Sequence, residues 1–294
     1  QVKSKCVVWV PNSVFLLFAT IKVFMILQQA PLTAFVWAIL AETAVVALFL
    51  LVVLGLRGPA LTSLRASSAR AITLLHDSWP LVISAIAITV YMKIDQIMLG
   101  QMIGNDAVGI YSAAVRISEV WYFIPVAIVA SVFPTILEAK KRDEAEYYAR
   151  LQNLYDVMIV ISVAVALPMT FLARPLVGLL FGQAYLASGT ILAIHIWAAV
   201  FVFLGVASGK WFLAENRQVL SMQRAALGAV ANVGLNLSLI PLYGTVGAAI
   251  ATVISQAIAA WLVDPLQVIT RPMFFMKLNA MNLLRISTSL LFKS

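Results

Sequence analysis

The sequence predicts an all-α, polytopic transmembrane helix bundle. Three observations carry that reading. Hydrophobic residues make up 63% of the 294 and charged ones only 11%, with a mean hydropathy of +0.99. Apolar runs long enough to cross a bilayer recur about eight times. Lys and Arg gather in every second connection between those runs. A soluble domain is roughly 45–50% apolar and about 25% charged, so this much apolar surface requires lipid as its solvent.

In chain order, the runs lie at roughly 8–29, 33–56, 79–102, 111–136, 154–173, 190–213, 219–240 and 244–266. In lipid a helix satisfies every backbone group within one segment, which makes these runs spanning helices. Lys3 and Lys5 precede the first. Arg57, Arg65 and Arg70 follow the second, and Lys140, Lys141, Arg142 and Arg150 follow the fourth. Lys210, Arg217 and Arg224 surround the junction of the sixth and seventh, and Arg271, Lys277, Arg285 and Lys293 occupy the tail. The intervening connections, near 30–32, 103–110, 179–189 and 241–243, carry no Lys or Arg. The positive-inside rule then places both ends of the chain on the cytoplasmic side. The link 57–78, with Leu61, Leu64, Ile72 and Leu75, has the spacing of an amphipathic surface helix. The stretches Glu138–Asp156 and Phe274–Phe292 read the same way, as interfacial rather than spanning.

Several function classes are excluded. The net charge of +8 does not mark a nucleic-acid binder, because no soluble basic module exists to carry such a face. One cysteine, Cys6, forms neither a disulfide framework nor a multi-thiolate metal site. No zinc-hydrolase or phosphate-loop motif occurs, so no cofactor, metal or catalytic residue is expected. The predicted outer connections are too short to hold a catalytic domain, which argues against a membrane polymerase. The first residue is Gln1 rather than Met, and the chain reads as a piece of a longer protein.

Ionisable residues inside the predicted spans cost about 2.5–3.5 kcal/mol each on insertion scales, which makes them candidates for function. At about 1.5 Å per residue from the outer ends, Lys93 lies about 14 Å deep and Asp95 about 10 Å. On the next, antiparallel helix Arg116 lies about 8 Å deep and Glu119 about 12 Å. These depths pair Lys93 with Glu119 and Asp95 with Arg116; Arg116 and Glu119, spaced i,i+3, have each other as an alternative. Lys22 and Glu42 match in the first hairpin. His195, Asn232 and Asn236 complete a polar set in the outer half, consistent with a water-filled vestibule. His195 reads as a hydrogen-bonded packing residue, and the asparagines serve equally as glue between helices. Pro125, Pro134 and Pro168, with Gly205, Gly209 and Gly244, serve packing and turns or mark bending points.

The stretch from Tyr91 to Gly100, reading Tyr-Met-Lys-Ile-Asp-Gln-Ile-Met-Leu-Gly, and the following Gly109 to Glu119 carry a family resemblance. So do Leu180-Phe-Gly182, His195-Ile-Trp197, Ala214-Glu-Asn216 and Asn236 through Gly244 to Ala249. In this order they closely resemble the O-antigen and capsule flippase branch of the multidrug/oligosaccharidyl-lipid/polysaccharide exporters. The resemblance implies a two-lobe exporter with an incomplete first lobe, about four helices being absent before residue 1. On that mapping, residues 1–56 hold the last two helices of the N-terminal lobe and 57–78 a cytoplasmic amphipathic linker. Residues 79–266 form a six-helix C-terminal lobe and 267–294 a cytoplasmic or interfacial tail.

The implied activity is transfer of undecaprenyl-pyrophosphate-linked oligosaccharide units across the bacterial inner membrane by ion-coupled alternating access. Lys22, Lys93 and Arg116 would attract the anionic lipid-linked oligosaccharide. Asp95, Glu119 and Glu42 are the candidates for a coupling ion, H+ or Na+. His195, Asn232 and Asn236 would line the cavity. Partners implied are the substrate, the ion, the lipid bilayer and other polysaccharide-assembly proteins. The alternatives are a drug/cation antiporter of the same superfamily and a truncated, non-transporting membrane protein.

Overall fold

A computed structural model describes residues 4–57 and 67–282. Every regular element among them is helical, and six helical runs are long and apolar enough to cross a membrane. The burial pattern is that of a protein in lipid. Large apolar side chains point outward, Leu179 being 82% exposed and Trp37 70%, while Asn232, Asn236, Asp264 and Lys277 are fully buried. In water so much exposed apolar surface would be unfavourable.

The chain divides into two compact units, Gln1–Leu75 and His76–Ser294. In the first, α1 (Ser4–Leu27) and α2 (Leu32–Arg57) form a hairpin. Its turn is closed by a hydrogen bond from Ala30 N to Met25 O at 3.0 Å, with Gln29 in a left-handed conformation. Lys22 Nζ meets Glu42 Oε2 at 2.5 Å across the hairpin, so two groups that would be costly alone in lipid satisfy each other. The apolar part of α1, Pro11–Leu27, is shorter than the six spanning runs.

Helix α3 (Ser68–Met102) is one continuous run that carries over into the second unit. The surface helix expected over 57–78 is therefore not a separate element from Ser68 onward. Its earlier part, with Leu61, Leu64 and Arg65, lies outside the described residues. The second unit continues with α4 (Asn105–Glu119), α5 (Phe123–Arg142), α6 (Glu144–Phe181), α7 (Ala187–His195), α8 (Ala198–Ala214), α9 (Gln218–Ala257) and α10 (Arg271–Met281). Pro125 lacks the N–H that would bond back to Trp121. A single 3-10 turn, Val120–Tyr122, takes up the break between α4 and α5.

Helix α6 starts at an N-cap: Asp143 Oδ1 accepts from Ala145 N at 3.0 Å, with Glu144 and Glu146 in the first turn. Tyr147, Leu151, Leu154 and Tyr155 are all buried in the bundle. The expected interfacial helix over Glu138–Asp156 is therefore the end of α5 and the core-forming first three turns of α6. Helix α10 likewise buries Met273, Met276 and Ala280. This part of the expected surface tail packs into the bundle; residues 283–294, with Arg285, Phe292 and Lys293, lie outside the described residues.

The run Gln218–Leu266 spans 49 residues but is not straight. Gly244 adopts φ 58, ψ −134, a conformation that a side chain would disfavour. The chain folds back there. Asn232 donates to Ser255 Oγ at 3.2 Å, and a Cβ added to Gly228 would lie 2.7 Å from the Ala259 Cβ. A Cβ on Gly247 would lie 2.1 Å from Leu239 O, so the tightness of the turn demands glycine. The returning arm ends in a π-helical turn, Ile258–Leu262, then a 3-10 turn, Asp264–Leu266.

Candidate functional site

Two polar nodes lie within the second unit, about 18 Å apart by the rise along α9 between residues 224 and 236. The first is built on Asp95, which is 2% exposed. Its Oδ2 accepts from Tyr111 Oη at 2.8 Å and from Thr252 Oγ1 at 2.5 Å. Oδ1 accepts from Asn236 Nδ2 at 2.6 Å. Asn236 also bonds Asn232 at 3.1 Å, which in turn reaches Ser255. The donors come from α4 and from both arms of α9, brought together by the reversal at Gly244. Among the described residues no cation forms an ion pair with Asp95. A carboxylate removed from water is thus held by neutral groups alone, an arrangement in which its charge is solvated but not cancelled.

His195 stands one contact away. Its ring meets Tyr111 edge to face, with centroids 6.1 Å apart, and Nδ1 hydrogen-bonds Ser118 Oγ at 2.9 Å. The helix breaks at Ile196–Trp197, where Ala199 N bonds Ile196 O and Val200 N bonds Trp197 O in the tighter i,i+3 pattern. That break ends α7 at His195. No Pro or Gly announces it in the sequence.

The charged pairs divide differently from the depth argument. Lys93 Nζ lies 3.2 Å from both Glu119 oxygens, half exposed. Asp95 turns instead to Tyr111, Asn236 and Thr252. Arg116 is exposed and among the described residues makes no ion pair, with Asp95 or with Glu119. The reason is azimuth. Residue 116 lies about 140° round α4 from Tyr111, which faces the core, and depth alone says nothing of direction.

The second node was not read from the sequence, which places Arg224 and Lys277 at the cytoplasmic surface. Both are buried, Arg224 at 6% exposure and Lys277 at 0%, around a fully buried Asp264. Lys277 Nζ donates to Asp264 Oδ2 at 2.7 Å and to Ala260 O at 2.7 Å. Arg224 Nη1 lies 3.0 Å from Asp264 Oδ1, off the line of a hydrogen bond, and Nε donates to Ala259 O at 2.9 Å. The π-helical turn frees those two carbonyls, and the cations take them up. Burial, reinforced by the Arg224 charge, brings Lys277 down from 10.5 to about 7 against the pull of Asp264. One signal in the sequence marks this node: Asp264 is the sole acidic residue after Glu215.

Beside the Arg224 node opens a cavity of about 420 Å³, between α3, α5, α8 and both arms of α9. Its wall is mostly apolar, with Tyr91, Tyr122, Ser208, Ser221, Gln256 and Arg224 as polar members.

Comparison with known proteins points one way. The probable flippase AglR of Haloferax volcanii is 28% identical over 177 residues, 58% of this chain and 36% of that protein. The probable low-salt glycan biosynthesis flippase Agl15 of the same organism is 25% identical over 202 residues, covering 67% of this chain and 42% of its own. The capsular polysaccharide biosynthesis protein CapF of Staphylococcus aureus is 23% identical over 181 residues, covering 61% and 46%. Two of the three are named for transport rather than for an enzymatic reaction. The chain spans less than half the length of each. No solved structure matches it significantly. The profile described as polysaccharide biosynthesis protein matches residues 13–190. With these relatives beside it, the multi-pass membrane chain belongs to that family, among the flippase-type exporters its motifs resemble.

Proposed function

We propose that this chain is the core of a flippase that carries undecaprenyl-pyrophosphate-linked oligosaccharide units across the inner (plasma) membrane. The product would serve O-antigen, capsule or exopolysaccharide synthesis, and transport would proceed by ion-coupled alternating access. The observation that carries the coupling half of this reading is Asp95. Its carboxylate is buried at the junction of three helices among neutral donors, and a proton or sodium ion completes its charge balance. Binding that ion stabilises the closure of α3 and α4 on the α9 hairpin; release loosens it. Lys93, half exposed and paired with Glu119, and the outward-facing Arg116 supply positive charge for a pyrophosphate. Lys22 does likewise in the first unit, its partner Glu42 and Glu119 stand with Asp95 as carboxylates for the coupling ion, and His195, Asn232 and Asn236 hold the framework of the Asp95 site.

The architecture that goes with this reading has eight crossings. Pro11–Leu27 makes one, and the reversal at Gly244 splits Gln218–Leu266 into two. Residues 1–56 belong to the first lobe and 79–266 to the second, with the termini of this chain in the cytoplasm. The relatives' names and the family membership support the substrate class; archaeal and bacterial relatives alike fit a plasma membrane.

Complementation tests the proposal. The complete gene, expressed in cells lacking their O-antigen flippase, restores surface polysaccharide, and Asp95→Asn reduces that restoration at least tenfold at equal membrane abundance. Wild-type protein that inserts but restores no polysaccharide with any repeat unit tested sinks the reading.

A further inference from the structure

The cavity beside Arg224 plays no part in the Asp95 site, and its chemistry is different. A guanidinium carries five N–H donors. Ala259 O occupies Nε, and Asp264 Oδ1 engages Nη1 only in poor geometry. Nη1 is enclosed beside Asp264, which leaves the two N–H of Nη2 as spare donors on a side chain that is 6% exposed and lines the cavity. The charges around it do not cancel. Arg224 and Lys277 face a single carboxylate, Asp264. The carbonyl end of the returning α9 arm adds roughly half a negative charge, which leaves the node positive below about pH 7, where Lys277 keeps its proton. Phe212 backs the guanidinium, its ring centroid 4.8 Å away, and keeps its plane fixed for a two-point contact.

The remaining wall fits an apolar neighbour. Its volume of about 420 Å³ falls within the range of small-ligand sites, roughly 300–1,000 Å³. Gly209 lies on the wall, and a Cβ there would meet nothing within 4 Å, so α8 presents open space at that point.

We infer that this cavity is an anion site which takes a phosphate group on Arg224, with the bearer of that phosphate packed on the apolar wall. The phosphate comes from an isoprenoid-linked lipid or from free phosphate in solution. A residue scaffold that only pinned α10 to the bundle would need no cavity and no spare donors. The choice of an isoprenoid pyrophosphate as probe rests on the flippase reading; the anion site itself does not.

Two cavity variants separate the anion from the fold. Arg224→Gln removes the spare donors and leaves Asp264 balanced by Lys277. Gly209→Leu pushes an isobutyl group into the cavity and leaves all three charges in place. Calorimetry on the full chain, in nanodiscs of phosphatidylcholine alone, would measure farnesyl pyrophosphate and inorganic pyrophosphate against each variant and against Arg150→Gln, a surface control. Saturable binding by wild type and Arg150→Gln is expected, weakened at least tenfold in both cavity variants. Preference for farnesyl pyrophosphate by tenfold or more assigns the lipid source, and equal affinity assigns free phosphate. No binding of either probe by the folded wild type overturns the inference. So does unchanged binding in Gly209→Leu. If binding holds as expected while complementation fails, the anion site stands and the transport reading falls.

Discussion

At the scale of single residues, buried charge is balanced by very few partners. Asp264 is the sole anion between two buried cations, so losing it is far worse than losing Lys277. Asp264→Ala leaves Arg224 uncompensated, and Lys277 as well at pH low enough to keep its proton, and is expected to cost about 3–5 kcal/mol. Lys277→Met leaves the Arg224–Asp264 pair intact and is expected to cost under about 2 kcal/mol. Denaturant or thermal unfolding in neutral detergent measures both, and equal losses would contradict the charge count.

The same lysine gives a pH dependence. Its pKa falls to about 7 on folding from 10.5, so between those values the unfolded chain holds more protons. Stability is therefore penalised in full below about pH 7 and recovers as pH rises toward 10. Relative to Lys277→Met, the wild-type melting temperature should climb through that window; a flat difference would show Lys277 to be neutral or exposed. This node also shows where sequence reading stops. Arg224 and Lys277 look like ordinary cytoplasmic cations by position, and only the π-helical turn at Ile258–Leu262, invisible in composition, draws them inward. Asp95 was legible as a costly group in lipid. Its partners were not, because depth along α4 does not tell which way Arg116 points.

At the scale of elements, the apolar runs marked the helices well, and the turn between 240 and 244 was visible from Pro241 and Gly244. The breaks inside runs divide by cause. Pro125 explains the 3-10 turn after α4, whereas no Pro or Gly stands at the break at Ile196–Trp197. The tail misled, since Met273, Met276 and Ala280 fit a surface helix as well as a buried one. The reversal at Gly244 assembles the Asp95 site by bringing Asn236 and Thr252 to one carboxylate. Gly244→Val forces a branched side chain into φ 58 and should cost about 1–3 kcal/mol. Transport should fall with it, because both donors ride on the turn. A Val variant with unchanged melting temperature would show that the chain does not reverse there.

For the whole molecule, the open quantity is the number of crossings, and chemistry in intact cells counts it. With Cys6 replaced by Ser, a single cysteine is placed at Tyr243, which is exposed beside the reversal, or at Asn216, between α8 and α9. A membrane-impermeant maleimide should label position 243 from outside and position 216 only after permeabilisation. Protection of 243 under both conditions would mean that Gln218–Leu266 does not return across the membrane.

The most direct test of ion-coupled flipping uses the purified full-length protein in liposomes. A fluorescent undecaprenyl-pyrophosphate oligosaccharide is loaded, a proton or sodium gradient is imposed, and its appearance in the outer leaflet is timed. Gradient-driven transfer by the wild type, lost at least tenfold in Asp95→Asn with the fold intact, is the result this account requires. Transfer at the same rate with and without either gradient, or undiminished in Asp95→Asn, would contradict it.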